Sequence, residues 1–213
     1  MRRDLLPAGH ARGAVTATLL LLLLGTGLVG KAAAQRPTER YDQTFRKYSK
    51  RYFGVGFDWR VFKAQGLTES NLNPAATSWV GAKGIMQLMP STFLEIQTKN
   101  PDWTSIDDVE WNIAAGISYN RRLWRLWKDS VDTEDHRYFM FGSYNAGRIP
   151  ILRAQGVARQ KLLDPRYWAS IEVVAPEVRG WRQSETISYV RRIRENLERL
   201  DDRGRVIRPA RTP

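Results

Sequence analysis

The chain has 213 residues, with 34 Lys plus Arg against 22 Asp plus Glu, a net charge of +12, and no cysteine. That composition suits one domain with extensions. It excludes disulfide scaffolds, Cys-His peptidases and zinc sites built on cysteine. Of its two histidines, only His136 lies beyond the N-terminal 34 residues. A multi-histidine zinc site and most Ser-His-Asp arrangements are excluded with it.

The N-terminus carries Arg2, Arg3 and Arg12, a mostly apolar run from Ala14 to Gly30, and Ala32-Ala33-Ala34 before polar Gln35-Arg36. This is the layout of a secretory signal peptide, with cleavage expected after Ala34. The alternative is an uncleaved anchor, because the run is only just shorter than a membrane span. Without residues 1–34 the chain keeps 30 basic and 21 acidic residues, a net +9. A basic exported protein suits an anionic wall or headgroup surface, held loosely by charge; export argues against nucleic acid as a partner. Without cysteine, attachment through a lipidated N-terminal cysteine is excluded, so the expected location is periplasmic or wall-associated.

Four regions are expected: signal peptide (1–34), an extension with a first helix (35–57), a catalytic domain (58–200) and a disordered basic tail (201–213). The chain reads as mainly α. Glu39 to Tyr52 is an amphipathic helix with Tyr41, Phe45 and Tyr48 on one side. Asp58 is a good N-cap for the next helix, whose stripe Trp59, Phe62, Gly66 reaches Glu69 before Asn71 and Asn73-Pro74 end it.

A glycine-bearing loop through Thr77 to Lys83 leads into a helix at Pro90-Ser91-Thr92, where proline suits a first turn. Further helices run from Asp108 to Trp127 and from Arg137 to Asn145, the latter stopped by Gly147. Pro165 to Trp181 reads as a loop with a short helix. The last helix starts near Ser184 with Ile187, Val190, Ile193, Leu197 and Leu200 as its apolar stripe, and its arginines read as a solvated face. His136, in a polar helix start, reads as a surface residue.

Glu69 is the leading catalytic candidate. On an apolar helix face its carboxyl is partly desolvated, which favours the protonated form and suits a general acid. The competing reading is a solvated helix-end glutamate.

Three motifs in order then carry a resemblance: Glu69-Ser70 through Gly81-Ala82-Lys83-Gly84-Ile85-Met86-Gln87-Leu88-Met89-Pro90 to Thr92; Ser143-Tyr144-Asn145-Ala146-Gly147; and Ser184-Glu185-Thr186-Ile187-Ser188-Tyr189-Val190. Together they resemble lytic transglycosylases of the soluble-lytic-transglycosylase (SLT) type, relatives of goose-type lysozyme, over roughly residues 58–194. Ser143 stands where that family has alanine, and Ser184 where it has proline.

The resemblance implies a lysozyme-like helical domain acting on peptidoglycan without a cofactor or metal. In it, Glu69 is the single acid and base, and Ser78, Gln87, Met89, Tyr144, Asn145, Glu185 and Tyr189 line the sugar groove. Each groove residue has a plainer alternative: Met89 as a core residue, Tyr144 capping a backbone group, Asn145 in a helix stop, Glu185 paired with Arg182.

Two-carboxylate glycosidases need a second acid that the first motif does not supply, since Glu95 falls on the outside of the following helix. The family's reaction needs one. Glu69 protonates the bond between N-acetylmuramic acid and N-acetylglucosamine, and then activates the sugar's C6 hydroxyl to close a 1,6-anhydro ring. The alternatives are a goose-type muramidase that uses water and a wall-binding assembly factor without turnover.

Overall fold

The computed structural model describes residues 37–207. The expected signal peptide, its cleavage site and residues 208–213 lie outside them. Among the described residues there are eight α-helices and no strand: α1 (Asp42–Phe53), α2 (Arg60–Ser70), α3 (Pro90–Gln97), α4 (Val109–Trp127), α5 (His136–Ala146), α6 (Arg148–Gln160), α7 (Trp168–Val174) and α8 (Gln183–Glu198). No helix among them is long and apolar enough to cross a membrane.

α2 is the axis of the fold. It packs mainly on α8 and also meets α1, while α4 is flanked by α1 and α5. Residues 61–66 are all buried, so no turn of α2 before its last is solvated. The face that the apolar spacing assigns to the interior holds, with Phe62 fully buried, but Lys63 and Gln65 on other faces are fully buried too. The N-cap of α2 is Trp59, not the expected Asp58, which lies one residue earlier and still accepts the Arg60 amide on Oδ1 at 3.0 Å.

The helix starts follow local chemistry. Pro90 is the first residue of α3, where its missing N–H costs nothing. Asp108 caps α4 by accepting the Trp111 amide at 3.0 Å. Gly147 ends α5, and α6 begins immediately after it. α6 has no counterpart in the sequence reading. Pro150, which suggests a break, sits in its first turn, where proline is tolerated.

Several expectations are corrected. Residues 35–57 are not a separate extension from 38 onward, because Tyr41, Phe45 and Tyr48 of α1 are buried in the common core. His136 is buried, not on the surface. Its ring stacks on Trp124 at 3.6 Å and Nε2–H donates to the Trp124 carbonyl at 2.8 Å, and burial holds its pKa below the usual value. On α8 the buried set is Thr186, Tyr189, Val190 and Ile193. Ile187 and Leu197 are only half-buried, because α8 turns its tyrosine side toward α2.

The start of the expected disordered tail is an ordered turn. Asp201 accepts the amides of Arg203 and Arg205, and Leu200 bridges to Val206. Gly204 has φ +82, and a Cβ there would sit 2.3 Å from the Trp59 ring. Its carbonyl accepts from the buried Lys63 ammonium at 2.6 Å, which ties the turn to α2.

Candidate active site

Glu69 lies in the last turn of α2. The helix ends there because Asn71 and Leu72 take left-handed conformations, φ 53 and 59. The Leu72 amide returns to the Gly66 carbonyl at 3.2 Å, and the Leu72 side chain is buried. That reversal closes the helix end and turns the chain away from the carboxylate.

The Glu69 side chain is half-buried and its carboxyl is closely surrounded. Oε1 accepts a short hydrogen bond of 2.5 Å from the Tyr189 hydroxyl of α8. Burial pushes the carboxyl pKa up from 4.5 to about 7. The Tyr189 hydrogen bond and the Arg192 charge oppose that rise without cancelling it. No carboxylate is among the groups that shift it. A carboxyl group tuned this way is half protonated near neutrality, the condition a general acid needs.

The loop after α2 is held by polar contacts to its backbone from Ser70 at the end of α2 and from α4. Ser70 Oγ donates to the Ile85 carbonyl at 2.9 Å. Asn112 of α4, fully buried, accepts the Met86 amide at 2.9 Å and donates to the carbonyls of Lys83 and Ile106. Gly84, at φ +75, allows this approach: a Cβ there would be 2.4 Å from the Asn112 amide. Lys83 bridges to both Thr77 and Leu88, making a small pinched ribbon.

The expected groove residues divide into three groups. Tyr189 touches Glu69 directly. Tyr144 lies close enough that the Glu69 charge helps to raise its pKa, after burial. Its hydroxyl, however, donates to the Met86 carbonyl at 2.8 Å, and its ring meets Tyr119 edge-on at 5.3 Å. The backbone-capping alternative for Tyr144 therefore describes its hydroxyl.

Gln87 and Ser78 serve the loop. Gln87, at φ 44, donates its amide to the carbonyls of Ala76 and Gly84. Ser78 Oγ accepts the Ala82 amide at 3.0 Å. Met89 and Asn145 are exposed. Glu185 is exposed and pairs with Arg182 at 3.4 Å, with no contact to Glu69.

Ser143, one of the two departures from the motifs, is fully buried and accepts from the Trp127 indole at 2.9 Å. Ser184, the other, is exposed at the start of α8. The sequence reading missed Asn112, Gln65 and Asn120. The available signal was the amides at inward positions of otherwise apolar helices, since a buried amide must find partners.

The family model of the transglycosylase SLT domain matches residues 44–164, more than half of the chain. The chain belongs to the transglycosylase SLT family. The matched span starts within α1, earlier than the motifs suggested, and ends before α8, so Glu185 and Tyr189 lie beyond it.

Among relatives, the membrane-bound lytic murein transglycosylase F of Desulfosudis oleivorans is 34% identical over 149 residues, 65% of this chain and 32% of that protein. That of Stutzerimonas stutzeri is 28% identical over 159 residues, covering 74% and 31%. The chain thus spans about a third of the length of these curated relatives. The 70-kDa soluble lytic transglycosylase of Escherichia coli shares the fold with a TM-score of 0.56 and 26% identity, covering 73% of this chain and 23% of that one. The matched span supplies the carboxyl group and its loop, and Tyr189 of α8, beyond that span, hydrogen-bonds the carboxyl.

Proposed function

We propose that this SLT protein is a peptidoglycan lytic transglycosylase in which Glu69 serves successively as acid and base. The observation that carries the reading is a single carboxyl group, pushed to about 7 by burial, held on one oxygen by Tyr189 and shifted by no second carboxylate. Inverting and retaining hydrolysis both call for a paired acid, and a lone group calls for help from the substrate.

Glu69 protonates the glycosidic oxygen between N-acetylmuramic acid and N-acetylglucosamine, and the bond to the muramyl C1 breaks. The muramyl N-acetyl group supports the developing cation. The carboxylate then takes the proton of the C6 hydroxyl, whose oxygen bonds to C1 and closes the 1,6-anhydro ring. Tyr189 donates to the carboxylate while it is charged. The resemblance to the family motifs supports a sugar groove that includes Ser78, Gln87 and Met89 of the ribbon together with Asn145 and Glu185.

The envelope is the proposed site of action. The named relatives are membrane-bound murein enzymes, and the leader-like residues 1–34 and the net +9 of the remainder fit export and a loose hold on an anionic wall.

Digestion of purified peptidoglycan in oxygen-18 water tests the reaction. Mass spectrometry should find anhydromuramyl ends without label. Labelled reducing ends as the main product would overturn the reading in favour of a muramidase.

A further inference from the structure

Behind Tyr189 lies a buried chain of amides that the catalytic motifs do not include. Gln65, fully buried one turn before Glu69 on α2, donates Nε2–H to the Tyr189 hydroxyl oxygen at 3.0 Å. Gln65 Oε1 accepts from Asn120 Nδ2 at 2.7 Å, and Asn120, also fully buried, donates from the same nitrogen to the Gly116 carbonyl at 3.1 Å.

The direction of this chain follows from its far end. The Gly116 carbonyl can only accept, so the Asn120 atom facing it is the nitrogen. The Gln65 atom 2.7 Å from that nitrogen is then the oxygen, and Gln65 offers its own nitrogen to Tyr189. The tyrosine oxygen is thereby engaged as an acceptor, and its single hydrogen is left for Glu69. The arrangement leaves Asn120 Oδ1 buried without a partner. Flipping Asn120 would leave two N–H donors unpaired instead and set two carbonyl oxygens against each other, a worse outcome.

We propose that Gln65 and Asn120 are positioning residues for the reaction proposed above: they commit the Tyr189 hydrogen to Glu69 Oε1, so that the transferable proton resides on Oε2. The pair acts only through Tyr189 and touches no substrate. An oxygen already accepting a 2.5 Å hydrogen bond is a poor place for the acid's proton. The other oxygen therefore holds it, and the carboxylate left after transfer keeps a fixed donor. The polar groups facing Glu69 are Tyr189 and Arg192 from α8 and Tyr144 from α5. Of the three, only Tyr189 bonds to the carboxyl, and only through Tyr189 do Gln65 and Asn120 reach it.

The test is a carbon-13 titration of the Glu69 carboxyl by NMR in the wild type and in Gln65→Met, Asn120→Leu and Tyr189→Phe. Tyr189→Phe removes the donor and sets the largest upward shift of the midpoint. Both amide variants should shift it the same way by about half a unit or more, since loss of hydrogen bonding to the charged form disfavours that form. The basic limb of kcat/KM should move with it, and kcat should fall about 3- to 10-fold with KM nearly constant.

Unmoved midpoints in both amide variants alongside lowered thermal stability would overturn the proposal and leave the pair a structural contact. A neutron structure of the wild type supplies a reading that no folding defect can blur. Deuterium on the Gln65 atom facing Tyr189 and on Glu69 Oε2 is expected; deuterium on the Gln65 atom facing Asn120 would overturn it. The titration and the neutron structure do not depend on the reaction product, so a failure of the transglycosylase reading would register separately, in the oxygen-18 digest.

Discussion

Lys63 and Glu69 stand less than two turns apart on α2, both withdrawn from water, and their surroundings differ in kind. Lys63 is fully buried, with Asp42 at 2.5 Å, the Gly204 carbonyl at 2.6 Å and the Trp59 ring nearby. Glu69 has only hydroxyl company at contact distance and one guanidinium acting on it from farther off. A buried charge given an opposite charge becomes a fastener, here joining α1, α2 and the turn at 201–207. A buried carboxyl group denied one holds its proton toward neutrality and becomes a proton donor. One helix therefore carries both an anchor and the proposed catalyst, and the nearest neighbour decides which is which.

The largest expected effect is on chemistry. Glu69→Gln keeps the shape and removes the proton, so turnover of purified peptidoglycan should fall by about 10³-fold or more with folding intact. Wild-type-like muropeptide release from this variant would remove Glu69 from the mechanism.

The anchor should respond in the opposite sense. Lys63→Met leaves Asp42 without its partner and should cost ~3 kcal/mol in urea unfolding. Lys63→Met combined with Asp42→Leu should recover most of that. Specific activity per folded molecule should stay near wild type in both, and a collapse of activity without loss of stability would dissolve the contrast between the two sites.

A third measurement separates the sites by pH. The folded pKa of Glu69, about 7, lies above the unfolded value near 4.5. The protonated carboxyl therefore favours the fold fully below pH 4.5, and that contribution is lost as pH rises through 7. Glu69→Gln, which cannot ionise, should match the wild type near pH 4 and exceed its stability by ~2 kcal/mol at pH 8, after allowing for the partial exposure of the side chain. Equal stabilities at both pH values would mean that the carboxyl is ordinary. The same group predicts that kcat/KM of the wild type declines above about pH 7.

The smallest effect sharpens the boundary between scaffold and site. Tyr144→Phe frees the Met86 carbonyl and should cost ~1 kcal/mol in thermal unfolding. Turnover should fall a few-fold, to about a third, as the ribbon loosens. Unchanged turnover with that stability loss would assign the Tyr144 hydroxyl to structure alone.

Much of the site was legible before the fold was known. Glu69 was marked by its position at the end of an apolar stripe, and the ribbon by glycines whose use at Gly84 is a steric necessity. The partnering of Tyr189 with Glu69 was not, since 120 residues separate them in the chain and only the packing of α8 on α2 joins them. Glu185, in the same motif, was placed in the groove by resemblance, and in the folded chain it pairs with Arg182. α6 escaped because one proline in a first turn reads like a break, and His136 because a polar helix start reads like surface.

The sequence alone determined the helical class, the end of α2, the start of α3 and the family, and it singled out Glu69 as the candidate acid. These depend on local spacing, capping chemistry and motif order, which act over a few residues. Only the tertiary structure decided what state each buried group is in. The pairing of Lys63 with Asp42 and Gly204, the amide chain from Asn120 to Tyr189 and the rise of Glu69 to about 7 all depend on neighbours brought from distant parts of the chain. Electrostatic energies in a protein interior are set by what lies within a few ångströms, and local sequence does not carry that information.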